Sequence, residues 1–317
     1  MNLLSEKQNP FTEQEQTSAL NRITWFGMII NFLLTILKFL AGVFAHSQVL
    51  IADAVHSLSD LITDLALLIG VRFWNRPADS DHPNGHAKLE TMITLFIGSV
   101  LFLVGLGLIK SGMNSIHDII SGHPLDQPGS FALVAACISI VLKEWLYRIT
   151  RQCGIKYRSS ALIANAWHHR SDALSSIPAA VAVLGCLLFG KQYAFLDPVG
   201  TILVSCMILY AAFEIVRPAF STLIDQGIPE DKVEVIRKEV LSFDSITDVH
   251  KIRTRPLGSG RYAIDLHIHV DPEMSVRKAH HLSHEIQDSL CAKNSEIVDV
   301  VVHVEPNILD DSIIEKQ

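Results

Sequence analysis

The sequence predicts an α-helical polytopic membrane protein with six transmembrane helices, followed by a small cytoplasmic α+β domain of αββαβ order. Three observations carry that expectation. Of the 317 residues, 49% are apolar and 19% charged, where ordinary soluble chains carry roughly 25% charged residues, and the mean hydropathy is +0.31. The apolar residues gather before residue 217 in six stretches, each near the roughly 20 residues a helix needs to cross a bilayer. Beyond that point the chain changes to short amphipathic segments. The length suffices for two domains, and a net charge of −7 has the wrong sign for a nucleic-acid partner. The cysteines Cys137, Cys153, Cys186, Cys206 and Cys291 are odd in number and form no CxxC, which argues against a disulfide framework or a cysteine zinc site.

The expected spans are 23–45, 49–71, 91–113, 130–149, 160–189 and 195–216. The first is too long for a secretory signal, lacks a small-residue cleavage site and is followed by more spans. Residues 46–48 leave room only for a tight turn, so the first two spans form an antiparallel hairpin. Arg72, Arg76, Lys88, Arg148, Arg151, Lys156 and Arg158 lie in the loops of one side and only Lys191 in those of the other. The positive-inside rule then places both termini in the cytoplasm. The expected domains are an N-terminal tail 1–20, a transmembrane domain 21–217, a soluble domain 218–307 and a polar tail 308–317.

Within the soluble domain the pattern predicts a helix over 230–242, strands over 248–255 and 261–270, a helix over 275–292 and a strand over 297–305. Ser275 is placed to cap the second helix, whose apolar stripe reads Val276, Ala279, Leu282, Ile286 and Leu290. The strand 261–270 alternates, with Ile264, Leu266 and Ile268 on one face and Asp265, His267 and His269 on the other. The last strand presents His303 and Glu305 on its polar face, and His250 lies on the first strand.

The chemistry lies in the second and fifth spans. The second reads LIADAVHSLSD from Leu50 to Asp60 and the fifth LIANAWHHRSD from Leu162 to Asp172. The shared pattern is either an inverted repeat of three helices, a common plan of secondary transporters, or convergence on one motif. At about 100° per residue, Asp53, His56, Asp60 and Asp64 fall within an arc of about 80° on one helix, and Asn165, His168, Asp172 and Ser176 within the matching arc of the other. His56 and Asp60 lie about 12 and 18 Å from the start of their helix, so both HxxxD pairs reach the middle of the bilayer from opposite sides. A carboxylate facing lipid costs several kcal/mol, and a polar seam between helices explains one such residue more readily than two matched pairs. Two neutral imidazoles and two carboxylates form a tetrahedral donor set of charge −2, suited to a divalent cation such as Zn2+. Asp53, Asp64 and Asn165 are candidates for supporting or pathway groups; His169 and Arg170 point off the arc and read as packing residues.

These motifs resemble the cation diffusion facilitators, over about residues 20–306. The resemblance implies a homodimer in the cell membrane, with cytoplasmic termini and a ferredoxin-like, metallochaperone-like soluble domain. It implies exchange of metal for protons by alternating access, and no enzymatic chemistry or organic cofactor. The partners implied are the lipid bilayer, a divalent metal cation and protons. The transport site matches His56, Asp60, His168 and Asp172, in the pattern associated with zinc, with iron, cobalt, cadmium and manganese as alternatives. The loop PADSDHPNGHAKLE carries Asp79, His82 and His86 as a DxxHxxxH cluster; its donors suit a first-row metal, and related loops bind one there. In the soluble domain, His250, His267, His303 and Glu305 match a binuclear cytoplasmic site and His280 a further ligand, with His269 an alternative to His267. Lys88 and Asp225 match a salt link at the cytoplasmic membrane face. Two other classes place histidine and carboxylate in or beside a membrane. An intramembrane zinc hydrolase requires HExxH, which is absent from the sequence. A membrane-anchored metal sensor has no use for the two HxxxD pairs.

Overall fold

The computed structural model describes residues 13–74, 76–123, 127–157, 160–258 and 260–307. The chain forms two compact units: one takes residues up to Ala66 together with Ile97–Glu214, the other Leu67–Phe96 together with the chain from Ile215 onward.

The helices are α1 (Glu13–Phe44), α2 (Gln48–Trp74), α3 (Lys88–Ile120), α4 (Ser130–Lys156), α5 (Ser160–Ser175), α6 (Ile177–Phe189) and α7 (Leu196–Leu223). Five helical spans among the described residues, Arg22–Phe44, Lys88–Ile120, Ser130–Lys156, Asn165–Phe189 and Lys191–Leu223, are long and apolar enough to cross a membrane. At 27 residues, α2 has the length of a sixth but carries Asp53, Asp60 and Asp64. Phe96, Leu103, Val141, Val181 and Leu188 are between 62% and 70% exposed. That much bare aliphatic and aromatic surface along several helices is unusual in a soluble monomer and is the surface a bilayer covers.

The expected single span 160–189 is two helices meeting at Ser176. Pro178 stands at the start of α6 and has no N–H to give to the preceding turn. The Ser176 backbone stays in the right-handed helical region, at φ −81° and ψ −12°. The Ser175 hydroxyl donates to the Asp172 carbonyl at 2.9 Å, and Ser176 Oγ lies 3.3 Å from the same oxygen. The irregularity therefore lies one turn beyond Asp172. Helix α4 buries a stripe of small residues, Ala132, Ala135, Ala136 and Ser139, continued by Lys143, Leu146, Tyr147, Thr150 and Gly154. Small side chains let helix backbones approach closely in a membrane, and α4 packs on α5, α1 and α6.

The α1–α2 turn occupies residues 45–47, with His46 in the left-handed region at φ 53°. The start of α2 is buried, so its first N–H groups need partners away from water. Asp197, from the first turn of α7, supplies them. Its carboxylate accepts from the backbone N–H of Gln48 at 2.7 Å and of Val49 at 3.4 Å, and from Ser47 Oγ at 2.6 Å. A carboxylate here also meets the positive end of the helix dipole.

The soluble domain contains α8 (Glu230–Leu241), β1 (Asp248–Gly258), β2 (Arg261–Val270), α9 (Val276–Lys293) and β3 (Ile297–Pro306). The sheet order is β1-β2-β3; β1 and β2 are antiparallel, and β3 runs parallel to β2 after the crossover helix α9. Ile236 and Val240 of α8 and Leu282, Ile286 and Leu290 of α9 pack on Ile264, Leu266 and Ile268 of β2. Both helices thus cover one face of the sheet and leave the histidine face open. Ser275 caps α9 by accepting from the Lys278 N–H at 3.4 Å. Val276, expected on the apolar stripe, is 86% exposed, because it is the first helical residue and lies beyond the edge of the core.

Replacing Asp197 with Ala is predicted to cost about 1–3 kcal/mol, the range for stranding buried backbone donors. The measurement is the midpoint of unfolding in detergent; an unchanged midpoint contradicts the capping role.

Candidate metal centres

In the membrane unit, Asp60 of α2 and His168 and Asp172 of α5 bring one donor atom each to within 4.8 Å of one another. Asp60 Oδ2 and His56 Nδ1 are buried atoms with no hydrogen-bond partner among the described residues. Buried polar atoms normally have partners, so two orphans one turn apart on the face of α2 that carries the site are what a cation site leaves open. His168 Nδ1 stands 3.8 Å from Asp172 Oδ1. His56 lies outside the 4.8 Å set and presents its unpartnered nitrogen one turn from Asp60.

Two residues that sequence reasoning passed over complete this region. Lys38 of α1 is fully buried and donates to Asp53 Oδ2 at 3.0 Å, Ser57 Oγ at 2.7 Å and Ser176 Oγ at 3.3 Å. Ser176 Oγ in turn donates to Asp53 Oδ1 at 2.9 Å. Lys143 of α4 is equally buried, with its Nζ 3.4 Å from Asp172 Oδ2 and 3.3 Å from Ser57 Oγ. The available signal was a lone lysine inside each of two apolar runs, TILKFL and IVLKEW. Asp53, expected as a supporting group, is held by Lys38. Asn165 is half-buried three residues before His168, and the side chain of Asp64 lies outside the described residues. His169 is buried against Gly27, and Arg170 stacks over Tyr147 at 4.8 Å.

In the other unit, Asp79, His82 and His86 place their donors within 4.8 Å. Asp79 Oδ1 is 3.3 Å from His82 Nδ1 and Oδ2 is 3.4 Å from His86 Nε2. Gly85, at φ +81°, supplies the left-handed turn that returns His86 toward His82. The backbone N–H of His82, 2.7 Å from Asp79 Oδ1, holds that carboxyl below the usual carboxylate range.

On the open face of the sheet, His250, His267 and His303 form one cross-strand row and Asp248, His269 and Glu305 the next. A one-residue bulge between His250 and Arg253, with Lys251 at φ 47°, accommodates the outward side chains on both sides of it. Glu305 is the hub: His267 Nδ1 is 2.6 Å from Oε1, His250 Nε2 and His269 Nε2 are each 3.2 Å from Oε2, and His303 Nε2 is 3.4 Å from Oε1. Burial pushes the Glu305 carboxyl up, but the hydrogen bond with His267 and the charges of His250 and His267 outweigh it and hold the group below its ordinary value. Two donor triads result, His250–His267–Glu305 and Asp248–His250–His269. His267 and His269 are thus both on the site face, and Asp248 joins them unforeseen. His280 is not brought to this face: it is exposed on α9, against His284 with ring centroids 4.5 Å apart. Lys88 Nζ and Asp225 Oδ1 are 3.0 Å apart, both partly exposed.

Residues 24–224 match the family described as the cation efflux transmembrane domain, and residues 228–307 the cation efflux protein cytoplasmic domain. The metal tolerance protein C1 of Arabidopsis thaliana is 35% identical over 91% of this chain and 63% of its own length. An uncharacterised transporter of Methanocaldococcus jannaschii is 35% identical over 82% of this chain and 89% of its own. The manganese efflux system protein MneP of Bacillus subtilis is 27% identical over 93% of this chain and 98% of its own. A solved structure of the proposed zinc transporter CzrB in a Zn form is 29% identical, covering 26% of this chain and 93% of that one, with a TM-score of 0.24. The chain belongs to the cation diffusion facilitator family, a family of multi-pass membrane proteins that move divalent metal cations out of a compartment.

Removing one partner of the buried Lys38–Asp53 pair is predicted to cost about 3–5 kcal/mol, and replacing both with apolar residues less than either single change. Unfolding of Lys38→Met, Asp53→Leu and the double variant measures this; additive losses contradict a mutually compensating pair.

Proposed function

We propose that this protein exports Zn2+ in exchange for protons, as a homodimer in the cell membrane with both termini in the cytoplasm. The observation that carries the reading is the convergence of Asp60, His168 and Asp172 inside the helical unit, with buried unpartnered atoms on His56 and Asp60. In the proposed cycle a cytosolic ion binds His56, Asp60, His168 and Asp172 in their deprotonated forms. Reorientation of the helices opens the site to the far side, where protons compete for the imidazoles and carboxylates and the metal leaves. Asp79, His82 and His86, and the paired triads of the sheet face, are proposed as cytoplasmic metal sites. Filling them biases the dimer toward a transport-competent state. The Lys88–Asp225 pair is proposed to tie the start of α3 to the segment after α7.

Manganese is the second reading, because one relative is named for manganese efflux. Imidazole nitrogen suits zinc, whereas manganese prefers oxygen donors, and a set with His56 and His168 favours the first.

Flux into proteoliposomes with a panel of Zn2+, Cd2+, Fe2+, Co2+ and Mn2+, with and without a proton gradient, tests the proposal. Asp172→Ala is expected to abolish zinc flux in protein that still inserts and folds. His56→Asp is expected to move the ranking toward the metals that favour oxygen. Wild-type flux through a folded Asp172→Ala variant contradicts the site, and an unchanged ranking in His56→Asp removes His56 from selectivity.

A further inference from the structure

We propose that Lys143 is a built-in competitor for the transported metal, an ammonium that shares the Asp172 carboxylate with the cargo and sets how tightly the cargo is held. The inference rests on the transport reading and concerns a residue that reading leaves unused.

Three observations carry it. Lys143 is 1% exposed inside a membrane helix, where an unpaired ammonium is costly. Its Nζ is 3.4 Å from Oδ2 of Asp172, one of the donors of the convergent set. It also has a second seat, the Ser57 hydroxyl at 3.3 Å, so it can give up the carboxylate without being stranded. The charges make the competition obligatory. Asp60 and Asp172 together neutralise a divalent ion; with the ammonium still on Asp172 the loaded site carries one positive charge too many in a low-dielectric interior. Binding of the cargo therefore pushes Lys143 toward Ser57, and return of Lys143 to Asp172 pushes the cargo out. Lys38 limits how far the ammonium retreats, because its own Nζ already holds the same Ser57 oxygen at 2.7 Å. The two lysines and Ser57 thus act as a spring behind the site. A purely structural role, tying α4 to α5, predicts a loss of stability on substitution and no selective change in metal affinity.

The experiment uses the full-length protein and Zn2+, with calorimetry for affinity and proteoliposome flux for KM and kcat. Mildly alkaline buffer keeps Asp172 from taking a proton in place of the lost ammonium. Removing a unit charge this close to a ligand is expected to tighten binding by ~10-fold or more. Lys143→Met should therefore lower Kd and KM together while kcat falls, because release is slowed. Lys143→Arg keeps the charge and should stay near wild type. If Lys143→Met does not fold, Lys143→Gln carries the same expectation. Wild-type protein that binds no metal, or binding that survives Asp172→Asn when the cytoplasmic histidines are removed, would overturn the transport reading and this inference with it. A wild type that binds and transports while Lys143→Met keeps the same Kd and KM would overturn the inference alone. An equal shift in Lys143→Arg would assign the effect to packing and overturn it likewise.

Discussion

Charge that cannot reach water has to find its counter-charge inside the helices, and the arrangement of the membrane unit follows from that constraint. The side chains of Lys38 and Asp53 are both fully buried, and each would be expensive alone. Pairing them fixes α1 against α2, and Ser176 joins the α5–α6 junction to the same oxygens. Asp172 and Lys143 do the same for α5 and α4. Asp60 Oδ2 and His56 Nδ1, two of the buried atoms without a hydrogen-bond partner among the described residues, mark where a divalent ion would supply the missing charge. Paired groups build the scaffold, and Asp172 belongs to both scaffold and site, paired with Lys143 and facing Asp60 and His168.

The soluble domain solves a different problem with the same residue types. Water is available there, so clustering histidines costs little, and the fold needs only to aim them. A three-stranded sheet with both helices on one face does this. The register places His250, His267 and His303 in one row and Asp248, His269 and Glu305 in the next. Because Glu305 reaches four imidazoles and His250 belongs to both triads, the two triads are not independent. A change at either residue disturbs both.

How much of this could be read beforehand depended on whether the feature was periodic. Long apolar runs and the alternation of β2 follow directly from burial, so the spans and the αββαβ order were legible. The HxxxD pairs stand out because a repeated HxxxD pattern in an apolar helix has few bland explanations; of their members the structure brings Asp60, His168 and Asp172 together and leaves His56 outside that set. Lys38 and Lys143 occur once each and belong to no motif; their meaning depends on which helix they face, a tertiary property. The break at Ser176 was signalled by Pro178, but a run of apolar residues masked it. His267 and His269 are two residues apart on one strand and share its polar face, so both reach the site, paired with His250 and Asp248. Asp248 became a donor only once β1 was paired with β2. His280 was expected at the sheet site from resemblance; within this chain the helix that carries it lies behind the sheet.

The convergence of Asp60, His168 and Asp172 on two helices of the membrane unit is proposed to hold a divalent ion by nitrogen and oxygen donors. X-ray absorption at the zinc edge tests it most directly, on full-length protein whose loop and sheet-face histidines are replaced. The expected result is one ion per chain in a four-coordinate shell of mixed nitrogen and oxygen at about 2.0–2.2 Å, with no sulfur. A six-coordinate shell of oxygen alone, or no bound zinc, would contradict it.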